Sequence, residues 1–313
     1  MATARRLIKL GKSSLAITLP KKWVGEQGLR EGDLVIVDEQ NGSLVISVAR
    51  QAEPEPSRIA HVSAKPQEEE SLERIIIALY QAGYDVIRVT VSGGRTTQAL
   101  RDALRRTLTR LIGLEVVEEG SDYVLLQMVA DAAVMSLDRV LGRMELLVLN
   151  SLRELEIYAA EKDLEILRGI VERDEEVDKF YFLLSRQVSL ALRNPAYLKQ
   201  IGVEDRPLLL PMFNYGKTIE RVGDVAVAIA RVAPRIEVAG SAIEVARRAI
   251  EAGVRVFRTG DDEGKRFLAG LYADYFSRIK PDSLLDHLIG NIISLSLDMV
   301  ESRIEYEVLR ERR

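Results

Sequence analysis

Residues 217–231 read K-T-I-E-R-V-G-D-V-A-V-A-I-A-R. Ile219, Val222, Ala226 and Ile229 recur at the spacing of one helical face, so the stretch is predicted to be an amphipathic helix. Gly223 within it costs about 1 kcal/mol relative to alanine, which asks for a reason such as close approach of a neighbouring helix. Glu220 and Asp224 are four apart, hence on one face and one turn above each other. Two carboxylates so placed repel unless a cation sits between them.

The same four-residue spacing occurs upstream. Asp174 and Asp178 stand in V-E-R-D-E-E-V-D-K, residues 171–179. From spacing alone two readings remain open. The acidic faces pair with arginines such as Arg173 and Arg221, or four oxygen donors hold a hard cation. Glu220, Arg221, Gly223, Asp224, Ala226, Ile229 and Ala230 reproduce an E-R-x-G-D-x-A-x-x-I-A signature that resembles the PhoU family of phosphate-uptake regulators. The run K-F-Y-F-L-L-S-R-Q-V, residues 179–188, is similar to that family as well. The resemblance implies that Asp174, Asp178, Glu220 and Asp224 on adjacent helices bind a divalent or trivalent metal ion such as Fe, Mg or Mn, in some members as multi-iron clusters.

Around these motifs the pattern is helical. Val134, Leu137, Leu141, Met144, Val148, Leu155 and Tyr158 follow helical spacing, with Ser151 filling one position of the seam. A second helix is predicted after Lys162-Asp163, with Val177, Tyr181, Leu184, Val188 and Leu192 facing inward and an end before Pro195. The third holds the opening signature and stops by Pro234. Three more follow. One carries Ile243, Ala246, Ile250, Val254 and Phe257, one spans Lys265 to Ile279, and the last runs from Leu285 to Leu309, with breaks at Gly260-Asp261-Asp262 and Pro281. This is the spacing of two three-helix bundles. The second half departs from the acidic pattern. Gly290 and Ser294 stand where the resemblance expects acids, and Lys265 stands four residues after Asp261, so a second metal site is not expected there.

Residues 51–70 have linker composition, with Pro54, Pro56, Pro66 and Glu68-Glu69-Glu70. Residues 71–130 read as a small α/β unit of order α-β-α-β-β, with Arg58 to Val62 a candidate strand before it. Ile87, Val89 and Val91 share one strand face, and Leu100, Leu104, Leu108 and Leu111 one helix face. Arg101, Arg105, Arg106 and Arg110 are read as a solvated face. Gly93-Gly94 ahead of a helix is a weak anion-binding signal. No chemistry is apparent here, and the unit is read as a connector or oligomerisation module.

The first fifty residues are β-rich. Leu15, Ile17 and Leu19 alternate as a strand, Lys21 to Gln27 suit a short helix after Pro20, and Leu34–Asp38 and Ser43–Val48 flank the hairpin signal Asn41-Gly42. Seven basic residues, Arg5, Arg6, Lys9, Lys12, Lys21, Lys22 and Arg30, oppose only Glu26 in the first thirty. Such clustering marks a phosphate-backbone binder. Trp23, the only tryptophan, is read as a packing residue. The runs R-R-L-I-K-L-G-K-S-S-L-A-I-T-L-P-K-K-W and G-L-R-E-G-D-L-V-I-V resemble the AbrB/MazE swapped-hairpin family. That resemblance implies a homodimer of interleaved chains and DNA contact through Arg5, Arg6, Lys9, Lys12, Lys21 and Lys22, although some members of the superfamily pair with toxins instead.

At 313 residues, 47% hydrophobic and 29% charged, the chain is a multidomain globular protein. Absence of cysteine excludes disulfides, thiolate metal sites and cysteine nucleophiles. His61 and His287 are too few for a conventional histidine-based triad. No apolar run approaches ~20 residues, and the N-terminus carries no secretory pattern, so a cytoplasmic location is expected. The boundaries read as 1–50 for the swapped-hairpin domain, 51–70 for the linker, 71–130 for the α/β unit, and 131–235 and 236–313 for two helical bundles. Together the resemblances imply a DNA-binding transcriptional regulator of phosphate uptake or homeostasis, with a PhoU-like sensor or partner-docking domain. The alternative is a cytosolic adaptor acting on a phosphate ABC transporter or a sensor protein, its N-terminal domain used only for dimerisation. A metal-dependent phosphatase would need a general acid/base beside the metal, and no such cluster is visible.

Overall fold

Glycines in the left-handed region set the turns of the N-terminal part. A computed structural model describes residues 4–11, 13–40, 42–48, 57–64, 69–91, 94–280 and 282–311. The chain divides into two units at Ser57. In the first, β1 (Ile8–Leu10) pairs antiparallel with β2 (Ser14–Ala16) across Gly11, whose φ is 73°. The alternation through Leu19 predicted a longer strand. Pairing stops at Ala16 because β1 offers only three residues. Helix α1 (Lys21–Glu26) starts directly after Pro20, and Gly28 follows it with φ 61°. Strands β3 (Val35–Gln40) and β4 (Ser43–Val48) form the expected hairpin, in register from Val35↔Val48 to Gln40↔Ser43. Not one residue of this unit whose exposure is described is buried. Leu34 leaves 78% of its surface exposed, and Leu7, Leu10, Leu15 and Leu44 leave 63–66%. Trp23 is half-buried.

The second unit begins with the α/β region: β5 (Ile59–Ala64), α2 (Glu69–Gln81), β6 (Val86–Val91), α3 (Gln98–Thr109), β7 (Leu114–Glu119) and β8 (Tyr123–Met128). The sheet order is β5-β6-β8-β7. The α2 crossover makes β5 and β6 parallel, and the other pairs are antiparallel. Ile87, Val89 and Val91 line its buried face as their period of two requires, against Ile76 and Tyr80 of α2 and Leu100 and Leu104 of α3.

Helices α4 (Leu137–Glu161), α5 (Leu164–Ala191), α6 (Pro195–Gln200), α7 (Leu209–Val232), α8 (Gly240–Thr259), α9 (Asp262–Arg278) and α10 (Leu284–Glu311) follow. Ser136 and Asp163 cap α4 and α5 by accepting backbone N–H groups. Three sequence expectations change. Val134 lies ahead of α4 in a 3₁₀ turn and is 72% exposed. Leu192 follows α5 and is exposed, not inward. Pro195, read as a stop, also starts α6, since Asn194 caps it and proline suits a first turn. Helices α4, α5 and α7 pack together, as do α8, α9 and α10. Helix α7 also lies along α10 and α4 along α8, so one continuous core joins both groups, from Leu137 and Ile219 to Ile250 and Ile292.

Candidate functional site

The opening signature lies on α7, and its face meets α5. Ile219, Val222, Ala226 and Ile229 are fully buried. A Cβ on Gly223 would stand 2.8 Å from Asp174 Oδ1 and 3.6–3.7 Å from Val148 and Val177. Glycine is therefore the residue that admits this approach, and what it admits is the Asp174 carboxylate. Asp174 Oδ1 is buried with no hydrogen-bond partner.

Asp174, Asp178, Glu220 and Asp224 are close enough to feel one another's charge. Burial, followed by the charges of Asp178, Asp224 and Glu220, pushes Asp174 up to about 7. Burial is also the main reason that Glu220 and Asp224 are raised. The charge of Arg231 eases the repulsion at Asp174 and Asp224, and that of Arg221 at Asp224, while two further cations bond directly to the acids. Lys217 Nζ donates to Glu220 Oε1 and Oε2 at 2.6 and 2.7 Å, and lies 4.7 Å from the centre of the Tyr181 ring. Burial opposes the Lys217 charge, but the Glu220 hydrogen bond and charge outweigh it, so its pKa is raised. Arg110, at the end of α3, donates Nη2 to Asp178 Oδ2 at 2.6 Å and Nη1 to Glu73 Oε1 at 2.8 Å.

Of the arginines expected from sequence to balance these acids, Arg173 turns away, while the charge of Arg221 does act on Asp224. Arg173 pairs with Glu154 of α4, and Arg221 stands 3.8 Å from Asp298. Lys217, three residues before Glu220, was readable as an i,i+3 pair. Arg110 was not, being 68 residues from Asp178. The solvated-face reading of the α3 arginines is corrected accordingly. Arg105 fits it, paired at 3.9 Å with Asp102, but Arg110 bridges two elements and Arg101 pairs with Glu119.

Among the described residues no group of three or more His, Asp or Glu side chains is drawn closely enough to hold a metal ion. The donors that face each other here are all carboxylate oxygens, which suit a hard cation. The unpartnered Asp174 oxygen beside Gly223 is of that chemistry. Loading would require Lys217 and Arg110 to yield. In the second helical group Gly290 faces Phe276, 3.1 Å from where a Cβ would sit. That position serves close packing of α9 on α10. Separately, an apolar cavity of about 610 Å³, walled by Val188, Leu192, Leu209, Phe213 and Leu309, is lined by none of the four carboxylates.

In the N-terminal unit Arg5, Arg6, Lys9, Lys21 and Lys22 are exposed, and Lys22 pairs at 3.8 Å with Glu26. Lys12 and Gly93 lie outside the described residues.

No helix of the described residues is long and apolar enough to cross a membrane. A family model described as antidote-toxin recognition MazE, bacterial antitoxin, matches residues 8–59. The PhoU domain model matches residues 141–233, which contain all four carboxylates. Comparison with curated proteins and with solved structures gives no match. The chain joins a MazE/AbrB-like segment to a PhoU domain, with the α/β region lying between the two matches.

Proposed function

We propose that the protein is a cytoplasmic, homodimeric, DNA-binding transcriptional regulator of phosphate uptake or homeostasis. Both matched families are regulatory and non-catalytic. The observation that carries this reading is the N-terminal unit, which exposes Leu7, Leu10, Leu15, Leu34 and Leu44 and has no buried residue among those whose exposure is described. A unit of this size cannot stabilise itself in that form, and a second copy is the simplest surface to cover it. Arg5, Arg6, Lys9, Lys12, Lys21 and Lys22 then supply charge for the phosphate backbone.

The PhoU domain is the sensing half. Asp174, Asp178, Glu220 and Asp224 are the residues that would hold a metal ion such as Fe, Mg or Mn, which supplies positive charge to a cluster now balanced by Lys217 and Arg110. A ligand of this half alters DNA binding only if it binds two arrangements of the protein unequally.

Fluorescence anisotropy of the full chain on its own promoter duplex and on a scrambled duplex, at two salt concentrations, tests the reading. Sequence-selective binding is expected. Neutralising Arg5, Arg6 and Lys9 together removes about six contacts from the dimer and should flatten the slope of log K against log salt by about 5, near 0.9 per lost phosphate contact. A folded dimer with no affinity for either duplex would overturn the regulator and favour an adaptor that acts on a phosphate transporter or sensor protein.

A further inference from the structure

The apolar cavity of about 610 Å³ lies where the C-terminal part of α5, the first turns of α7 and the C-terminal part of α10 meet. Its size is that of a small-molecule pocket, and such pockets set a few fixed polar groups in an apolar wall. Here those groups are Ser185 and Ser189 of α5, Arg206 of a 3₁₀ turn (Arg206–Leu208) ahead of α7, and Glu305 of α10. Among the described residues none of these four side chains has a hydrogen-bond or ion-pair partner. Their surroundings behave differently. Ser151 and Ser302, also within helices, donate back to the carbonyls of Leu147 and Asp298. Arg303 and Glu307, on either side of Glu305 in α10, pair with each other at 2.7 Å. Arg206 Nε is buried without a partner, and Arg206 and Glu305 are both half-buried.

We propose that this cavity binds a free α-amino acid with a large apolar side chain, its carboxylate on Arg206, its ammonium on Glu305 and its side chain against Val188, Leu192, Leu209, Phe213 and Leu309. A charge set in an apolar wall is short of water and gains from an ionic partner. Arg206 and Glu305 carry opposite charges, share one cavity and are not paired with each other. An apolar monoanion would satisfy Arg206 but face the like charge of Glu305. An apolar amine would do the reverse. A zwitterion answers both charges at once, and its apolar side chain adds the burial that the rest of the wall offers. Ser185 and Ser189, one turn apart on α5, offer hydroxyls to the same polar groups. Leu192 and Leu210 of the wall are exposed, so a ligand reaches the cavity from solvent. The site needs neither the four carboxylates nor DNA binding.

Titration calorimetry of the full chain with L-phenylalanine and L-leucine tests this, against 3-phenylpropionate, which lacks the ammonium, and 2-phenylethylamine, which lacks the carboxylate. Both amino acids should bind, and each analogue should bind at least about tenfold more weakly than L-phenylalanine, since each leaves one charge of the cavity unpaired. Glycine, with no side chain to bury, should not bind. Arg206→Gln and Glu305→Gln should each weaken L-phenylalanine by at least about tenfold. Glu305→Gln should at the same time bind 3-phenylpropionate more tightly than the native chain does, which loss of the fold would not produce. Both variants should melt as the native chain does, because neither side chain has a partner to lose. The inference is overturned if the native chain takes up neither amino acid at millimolar concentration. It is overturned equally if 3-phenylpropionate binds as tightly as L-phenylalanine, or if neither substitution changes the affinity for L-phenylalanine.

Discussion

Arg186 Nη2 lies 2.6 Å from Asp85 Oδ1, joining the C-terminal part of α5 to the residue just ahead of β6. The same guanidinium donates to the carbonyls of Tyr80 and Tyr84, and only 2% of its side chain is exposed. Asp85 is 34% exposed and water can replace its partner, but removing the guanidinium leaves the Tyr80 and Tyr84 carbonyls unsatisfied, at a cost of about 1–3 kcal/mol. Arg186→Met should lose about that much in urea denaturation, and the α/β region should exchange deuterium before the helical part does. A loss below ~1 kcal/mol would show that the pair contributes little to docking.

Asp174 should make stability depend on pH. Its folded-state pKa is about 7 against an ordinary 3.8. The native state therefore holds a proton between those values that the unfolded chain has released. Stability contributed at this residue is full below about pH 4 and is lost as pH rises through 7. Asp174→Asn should be more stable than the native chain at pH 8 in chelator, by on the order of 2 kcal/mol once solvent screening is allowed for. The difference should shrink toward pH 4. Denaturation midpoints at pH 5 and 8 check it, and a gap that does not change with pH would contradict the shift.

Gly216 is a packing position. A Cβ there would come within 2.2 Å of Leu184 Cδ2 and 3.0 Å of Leu141 Cδ2, both on fully buried side chains. Gly216→Ala gains helix propensity of about 1 kcal/mol but overpacks the core, which costs roughly 1–3 kcal/mol. Net destabilisation is expected, read as a lower melting temperature.

Gly223 should behave differently. The atom in its way is the Asp174 carboxylate, and the apolar neighbours are at ordinary contact distance. Gly223→Ala should keep the melting temperature close to native, because the helix gain of about 1 kcal/mol offsets the shift of one carboxylate. It should weaken Mn²⁺ binding measured by calorimetry. Unchanged affinity would separate Asp174 from the metal set.

The exposed leucines of the N-terminal unit should be buried by a second copy. Each buried leucine contributes about 1.5–3 kcal/mol, so Leu15→Asp with Leu34→Asp should weaken self-association at least about a hundredfold. Sedimentation velocity should show the native chain as a dimer and the double variant as a monomer at micromolar concentration. A double variant that stays dimeric would place the interface elsewhere.

Local chemistry was legible throughout. Periodicity located the long helices, the alternation of Ile87, Val89 and Val91 located the buried strand face, and Gly11, Gly28 and Gly42 marked turns that need a left-handed residue. Gly223 was legible as a close approach because a mid-helix glycine is costly wherever nothing requires it. The chain's own order of residues also placed the carboxylates of each pair on one face, since i and i+4 coincide on any α-helix. Apart from Lys217, three residues before Glu220 on the same helix, which cations meet those carboxylates was decided only by the tertiary structure. Arg173 is near the acids in sequence but lies on a face that meets Glu154, and Arg221 is shared between Asp224 and Asp298. Arg110 comes from another sheet-and-helix layer, and nothing in its neighbours records where α3 will dock. The single core shared by the two helical groups has the same origin. A helix's period gives the width of its apolar stripe, but the partner that covers the stripe is chosen by packing of the whole chain.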